Sequence, residues 1–68
     1  MKPPGQLFDP QIFARTIRLE VSRRGVTQNE AARQMDIHKA TLSRICKGGS
    51  PDVENFLRIA RWLNRKET

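Results

Sequence analysis

Apolar residues recur at helical spacing in four separate stretches of this chain, and the residues between them are of the kinds that start and stop helices. Phe13, Ile17 and Val21 fall four apart behind Asp9 and Pro10, an N-cap followed by a first-turn residue that has no N–H to leave unsatisfied. Gly25 stops this first helix, and Arg23 and Arg24 put positive charge at its carboxyl end. Thr27 caps a second, short helix running to about Met35. Glu30 stands three residues on, where a capping box needs it, and Ala31, Ala32 and Met35 are the inward side chains. Asp36 and Ile37 make a break. A third helix opens at His38 or Lys39 and runs to Lys47, with Leu42 and Ile45 on its packed side and Lys39, Ala40, Ser43, Arg44 and Lys47 on the other. Gly48 and Gly49 end it. Ser50 and Pro51 repeat the start signal for a fourth helix, whose predicted core stripe is Val53, Phe56, Leu57, Ala60 and Leu63; Ile59 and Trp62 widen that stripe beyond what one small core uses. With no sustained alternation and no repeat, the pattern predicts an all-α chain of four helices.

Composition narrows the picture. Sixty-eight residues, 37% of them hydrophobic, make one small domain whose core must be economical. Residues 1–6, rich in proline and glycine, read as a flexible segment, and 7–68 as the domain. A formal charge of +6 favours a polyanionic partner, and on charge alone nucleic acid, an anionic membrane surface and simple solubility all stay open. Cys46 is the only cysteine, so no internal disulfide forms, and one histidine supplies no structural zinc set; no metal or cofactor is expected. The first six residues have no apolar core, hence neither a signal peptide nor a membrane span is expected there, and cytoplasmic residence is the default. Catalysis needs a nucleophile, a base and an orienting group in one pocket. His38, Ser43 and Asp36 on a short exposed element do not suggest one, so no enzyme is expected.

A short capped helix, a tight break and a second short helix form the helix-turn-helix arrangement, here from Gln28 to Lys47. Gly25-Val26-Thr27-Gln28, Glu30-Ala31-Ala32, Ile37, Thr41-Leu42-Ser43-Arg44-Ile45 and Gly48 together resemble the phage repressor and Cro family, over roughly Ile17 to Leu63. The resemblance implies a compact, lambda-repressor-like DNA-binding domain of four helices, or five in longer members, and a sequence-specific transcriptional regulator acting as a repressor. A major groove about 12 Å wide admits one helix, provided its apolar side is anchored behind it; Leu42 and Ile45 are that anchor. By resemblance the base-reading positions are His38, Lys39, Ala40, Ser43 and Arg44. Arg44 has the fork that bridges O6 and N7 of guanine, and Ala40 can touch only a thymine methyl. Gln28 and Thr27 at the start of the second helix, and Lys47, Gly48, Gly49 and Ser50 beyond the third, are the phosphate-binding set, with Arg18 and Arg33 as weaker members.

Two departures from the family pattern stand out. Asp36 occupies the turn where the family usually has glycine, and aspartate tolerates the left-handed conformation less well. Val21 and Cys46 occupy positions where the family often pairs arginine with glutamate, and an apolar contact between them is expected instead.

Because one recognition helix reads few base pairs, a homodimer on a palindromic operator is expected, with Ile59 and Trp62 as its seam unless Leu7, Phe8 and Ile12 cover them. A competing function is an antitoxin or corepressor that holds a protein partner through Trp62 and its neighbours. RNA ranks third, since no aromatic lies on the outward face of the third helix for bases to stack on. His38 as an ordinary exposed cap, Cys46 as a core residue, and Arg23, Arg24, Arg65 and Lys66 as helix-end charges are the plain structural alternatives.

Overall fold

The computed structural model describes residues 8–65, so the expected loose segment at 1–6, and Leu7, lie outside the described residues. Four helices are found among them, in the order α1 (Pro10–Arg24), α2 (Gln28–Met35), α3 (Lys39–Cys46) and α4 (Val53–Asn64), and no strand. None of these helices is long and apolar enough to cross a membrane.

Local chemistry sets most of the boundaries. Asp9 Oδ1 accepts from the N–H groups of Gln11 and Ile12 at 2.9 and 3.4 Å, ahead of Pro10. Gly25 closes α1 in the left-handed region at φ 70°, and its N–H returns to the carbonyls of Val21 and Ser22. Thr27 Oγ accepts from Glu30 N–H at 3.0 Å, one half of the expected capping box. The Glu30 carboxylate turns instead to Arg33 and Gln34. Asp36 adopts the left-handed conformation that the turn demands, φ 63° and ψ 44°. The start of α4 falls two residues later than the Ser50-Pro51 signal: Asp52 is the cap, accepting from Asn55 N–H at 3.2 Å. A carboxylate accepts a helix-end hydrogen bond and also interacts with the helix dipole, which favours Asp52 over the serine hydroxyl.

The core joins Ile17 from α1, Ala31, Ala32 and Met35 from α2, Leu42, Ile45 and Cys46 from α3, and Ile59 and Trp62 from α4. Burying each large aliphatic side chain contributes about 1.5–3 kcal/mol, and Leu42→Ala would cost about 2–5 kcal/mol through the cavity it leaves. Ala31 and Ala32, small and buried, sit where α3 crosses α2. Cys46 belongs to the core cluster, and Val21 is half-buried against that cluster.

The fourth helix is rotated from its predicted orientation. Ile59 and Trp62 are wholly inside, whereas Val53 and Leu57, expected in the core, are 76% and 55% exposed. Ile59 and Trp62 therefore have no surface to offer a second copy, and their assignment to a dimer seam is corrected. They are covered by the core itself and, on Trp62, by polar neighbours: Arg24 stacks over the indole at 4.0 Å, and the indole N–H donates to Gln34 Oε1 at 2.8 Å. Phe8 does not cover them. It packs with Phe13 and Phe56, ring centroids 5.3 and 5.5 Å away, while Ile12 stays 52% exposed.

Candidate nucleic-acid interface

Two helices hold α3 from behind. Leu42 and Ile45 are fully buried against α1 and α2, so the opposite side of α3 is turned outward, and Lys39, Ala40, Arg44 and Lys47 are exposed there. Ser43 is half-buried. His38 is the N-cap of α3: its Nδ1 accepts from Ala40 N–H at 3.1 Å, which puts the ring proton on Nε2 and leaves that nitrogen to donate outward of the cap. The five expected base-reading positions therefore lie on one turn and a half of one helix, and only His38 is also committed to holding the helix.

Room for Arg44 depends on the loop that follows. A side chain on Gly49 would stand 3.0 Å from the Arg44 carbonyl and 3.1 Å from Arg44 Cγ, so the bare glycine lets the stem of Arg44 lie beside the loop. Gly48 has φ 104°, and a Cβ there would meet the Gln11 amide nitrogen at 2.5 Å. The amide N–H groups of Lys47, Gly48 and Gly49 all donate to carbonyls of Arg44 and Ile45. This corrects the expectation that glycine amides offer themselves to phosphate; they close the end of α3. What the loop presents is the Lys47 ammonium and the exposed Ser50 hydroxyl.

Gln28 and Thr27 are exposed at the start of α2, although the Thr27 hydroxyl oxygen is already accepting from Glu30 N–H. Arg33 is exposed but holds Glu30 through Nη2 at 2.7 and 2.8 Å. Those hydrogen bonds, and a weaker one from Gln34, keep the Glu30 carboxyl below the usual carboxylate range, so its negative charge stays beside Arg33. Arg18 is exposed, and its guanidinium donates through Nη1 to the carbonyl of Cys46, the last residue of α3. Cys46 itself is buried, and burial pushes its thiol up against a small opposing effect of Arg18, which makes it a core residue and not a reactive thiolate.

Reasoning from sequence missed two members of this surface. Asn29, exposed on the first turn of α2, lines a shallow depression of about 450 Å³ together with Arg33, His38 and Lys39. Gln11 reaches from α1 to Gly48. Spacing within the helix-turn-helix segment can suggest Asn29, one residue after Gln28; nothing local signals Gln11, which is brought there by the packing of α1 on α3. Among the described residues no group of three His, Cys, Asp or Glu is placed to hold a metal ion.

Comparison with known proteins agrees with this geometry. A family model described as helix-turn-helix matches residues 15–68. A chain in the solved structure "Structure of HipA-HipB-O2-O3 complex" is similar, with a TM-score of 0.69 and 25% sequence identity, covering 93% of this chain and 90% of that one. No curated protein matches.

Proposed function

This chain belongs to the helix-turn-helix family, as a DNA-binding domain of the Cro/C1 type, and from that premise we propose that it is a sequence-specific transcriptional repressor that sets α3 into the major groove of double-stranded DNA. The observation that carries the reading is the split surface of α3: Leu42 and Ile45 wholly buried, Lys39, Ala40 and Arg44 exposed. Arg44 reads guanine, His38, Lys39, Ala40 and Ser43 complete the base-edge set, and Gln28, Thr27, Lys47 and Ser50 hold phosphate, with Arg33 assisting where Glu30 permits. The protein works where the DNA is, in the cytoplasm, as a regulator of phage or plasmid type.

A homodimer on a palindromic operator fits this role, because two recognition helices must stand about one DNA turn, 34 Å, apart. With Ile59 and Trp62 internal, the seam falls to the exposed apolar start of α4 around Val53 and Pro51. Sedimentation with and without operator tests it; monomer in both would remove the dimer.

Selection of bound duplexes from a random pool would yield the operator and its symmetry. On that operator Arg44→Ala should cost about 1–3 kcal/mol per half-site and relax one base pair, whereas Gln28→Ala should weaken operator and scrambled DNA alike. Equal loss on both DNAs for Arg44→Ala would show that it grips phosphate and reads no base.

A second reading, a corepressor or antitoxin that binds another protein, is favoured by one observation. The similar chain sits in an assembly with another named component, HipA–HipB.

A further inference from the structure

On a side of the molecule to which α3 contributes no residue, the carboxyl end of α2 and the length of α4 frame a groove of about 430 Å³. Its apolar lining is Met35 and Trp62, buried, and Leu57, which is 55% exposed. Three arginines of α4 line it as well. Arg58 is neutralised, holding the Asp36 and Glu54 carboxylates at 2.9 and 2.6 Å. Arg61 and Arg65 are exposed, and their guanidinium groups have no acidic partner among the described residues. The two acids in the groove being already paired, the charge left unanswered there is that of Arg61 and Arg65.

We propose that this groove docks an acidic peptide segment of a partner protein, which lays an apolar side chain against Leu57 and carboxylates against Arg61 and Arg65. The proposal rests on the protein-partner reading above and gives that reading its surface. Charge complementarity chooses the occupant. Among the described residues a second copy of this chain has no acid to spare: Asp9 and Asp52 cap helices, Glu20 and Glu30 hold arginines of their own helices, and Asp36 and Glu54 hold Arg58. An acidic segment of another protein supplies what those residues do not. An exposed apolar residue in a row with two arginines, four residues apart at 57, 61 and 65, suits a peptide that alternates acidic and apolar side chains better than a duplex, whose sugar-phosphate edge has nothing to offer Leu57. Since α3 lies outside the groove, peptide and DNA can be held together.

Trp62 is the only tryptophan and lines the groove, so its emission reports the site. The full chain is titrated with an unlabelled peptide alternating glutamate and leucine, and with a lysine–leucine peptide as control. A saturable change in Trp62 emission with the acidic peptide alone is expected, weakened at least about tenfold in Arg61→Gln/Arg65→Gln and in Leu57→Ser, while Arg44→Ala, which lies on α3, leaves it unchanged. No response, or a response indifferent to Arg61 and Arg65, overturns the groove; in the latter case a partner role survives at another surface. Displacement of the peptide by a scrambled duplex from the Arg44→Ala protein assigns the groove to nucleic acid and equally overturns the proposal. So does emission that changes with protein concentration in step with self-association.

Discussion

The guanidinium of Arg18, on the third turn of α1, donates to the main-chain carbonyl of Cys46, 28 residues away at the last position of α3. The carbonyls at a helix end have no partner within the helix, and this arginine supplies one from the neighbouring helix. It thereby pins the end of α3 to the scaffold.

Arg18→Ala should therefore lower stability by about 1.5–3 kcal/mol, the range for a hydrogen bond to a charged group. Urea denaturation measures this. DNA affinity should fall through misplacement of α3 with little change in the salt dependence of binding. A phosphate-gripping arginine behaves in the opposite way, leaving stability intact and reducing the salt slope by about one unit.

Acid should loosen the contact between the end of α1 and the end of α4. Hydrogen bonds from Arg23 and then Arg24 lower the Glu20 carboxyl from 4.5 to about 2. A carboxyl whose folded value is depressed gives stability that is fully present above its unfolded value and is lost as the pH falls through the folded one. The loss attributable to Glu20 thus runs between about pH 4.5 and 2. Glu20 also positions Arg24, whose Nη2 donates to the carbonyls of Trp62 and Arg65 at 3.1 and 3.0 Å. Glu20→Gln should flatten that acid limb, and Trp62 emission across the same interval should change in the parent protein and not in the variant.

Gly48→Ala carries two separable costs. The left-handed φ of 104° strains any L-residue, by about 1–2 kcal/mol, and the new methyl meets the far end of the Gln11 side chain. Since that side chain is flexible, Gln11→Ala should recover only the steric part. Comparing denaturation midpoints of the two single variants and the double variant checks this. Full recovery in the double variant would mean that backbone strain contributes nothing.

At Asp36 two small effects compete. Glycine would relieve a left-handed aspartate, but it would remove an ion pair with Arg58 whose carboxylate is 92% exposed, and it would add freedom to the unfolded chain. Exposed pairs are worth about 0–1 kcal/mol and the unfolded-state term about 0.4–1, so Asp36→Gly should change stability by under about 1 kcal/mol. Asp36→Val, β-branched at the same φ, should be clearly destabilising. A glycine variant losing well over 1 kcal/mol would assign the larger share to Arg58.

Features governed by neighbours in the chain were legible in the sequence: the Asp9-Pro10 start, the Thr27 cap, the Gly25 stop and the Asp36 turn each depend on a few adjacent residues. The outward face of α3 was legible too, because Leu42 and Ile45 leave it one packed side. The facing of α4 was not. Val53, Leu57 and Ala60 form one helical stripe and Phe56, Ile59, Trp62 and Leu63 another, and only the position of the other helices decides which is buried. The tie made by Arg18 was not legible for a related reason: an exposed arginine has no local mark that a carbonyl 28 residues on will engage it.

The His38 cap divides the outward positions of α3 into residues that can be changed freely and one that cannot. Lys39, Ala40 and Arg44 hold no side-chain hydrogen bond in the fold, whereas the His38 ring secures the first turn through Ala40 N–H. If the proposed function holds, drift or redesign at 39, 40 and 44 should therefore change operator preference while folding stays nearly constant. A change at 38 lowers helix stability as well, so under that function new specificities should accumulate at the former positions before they touch the latter.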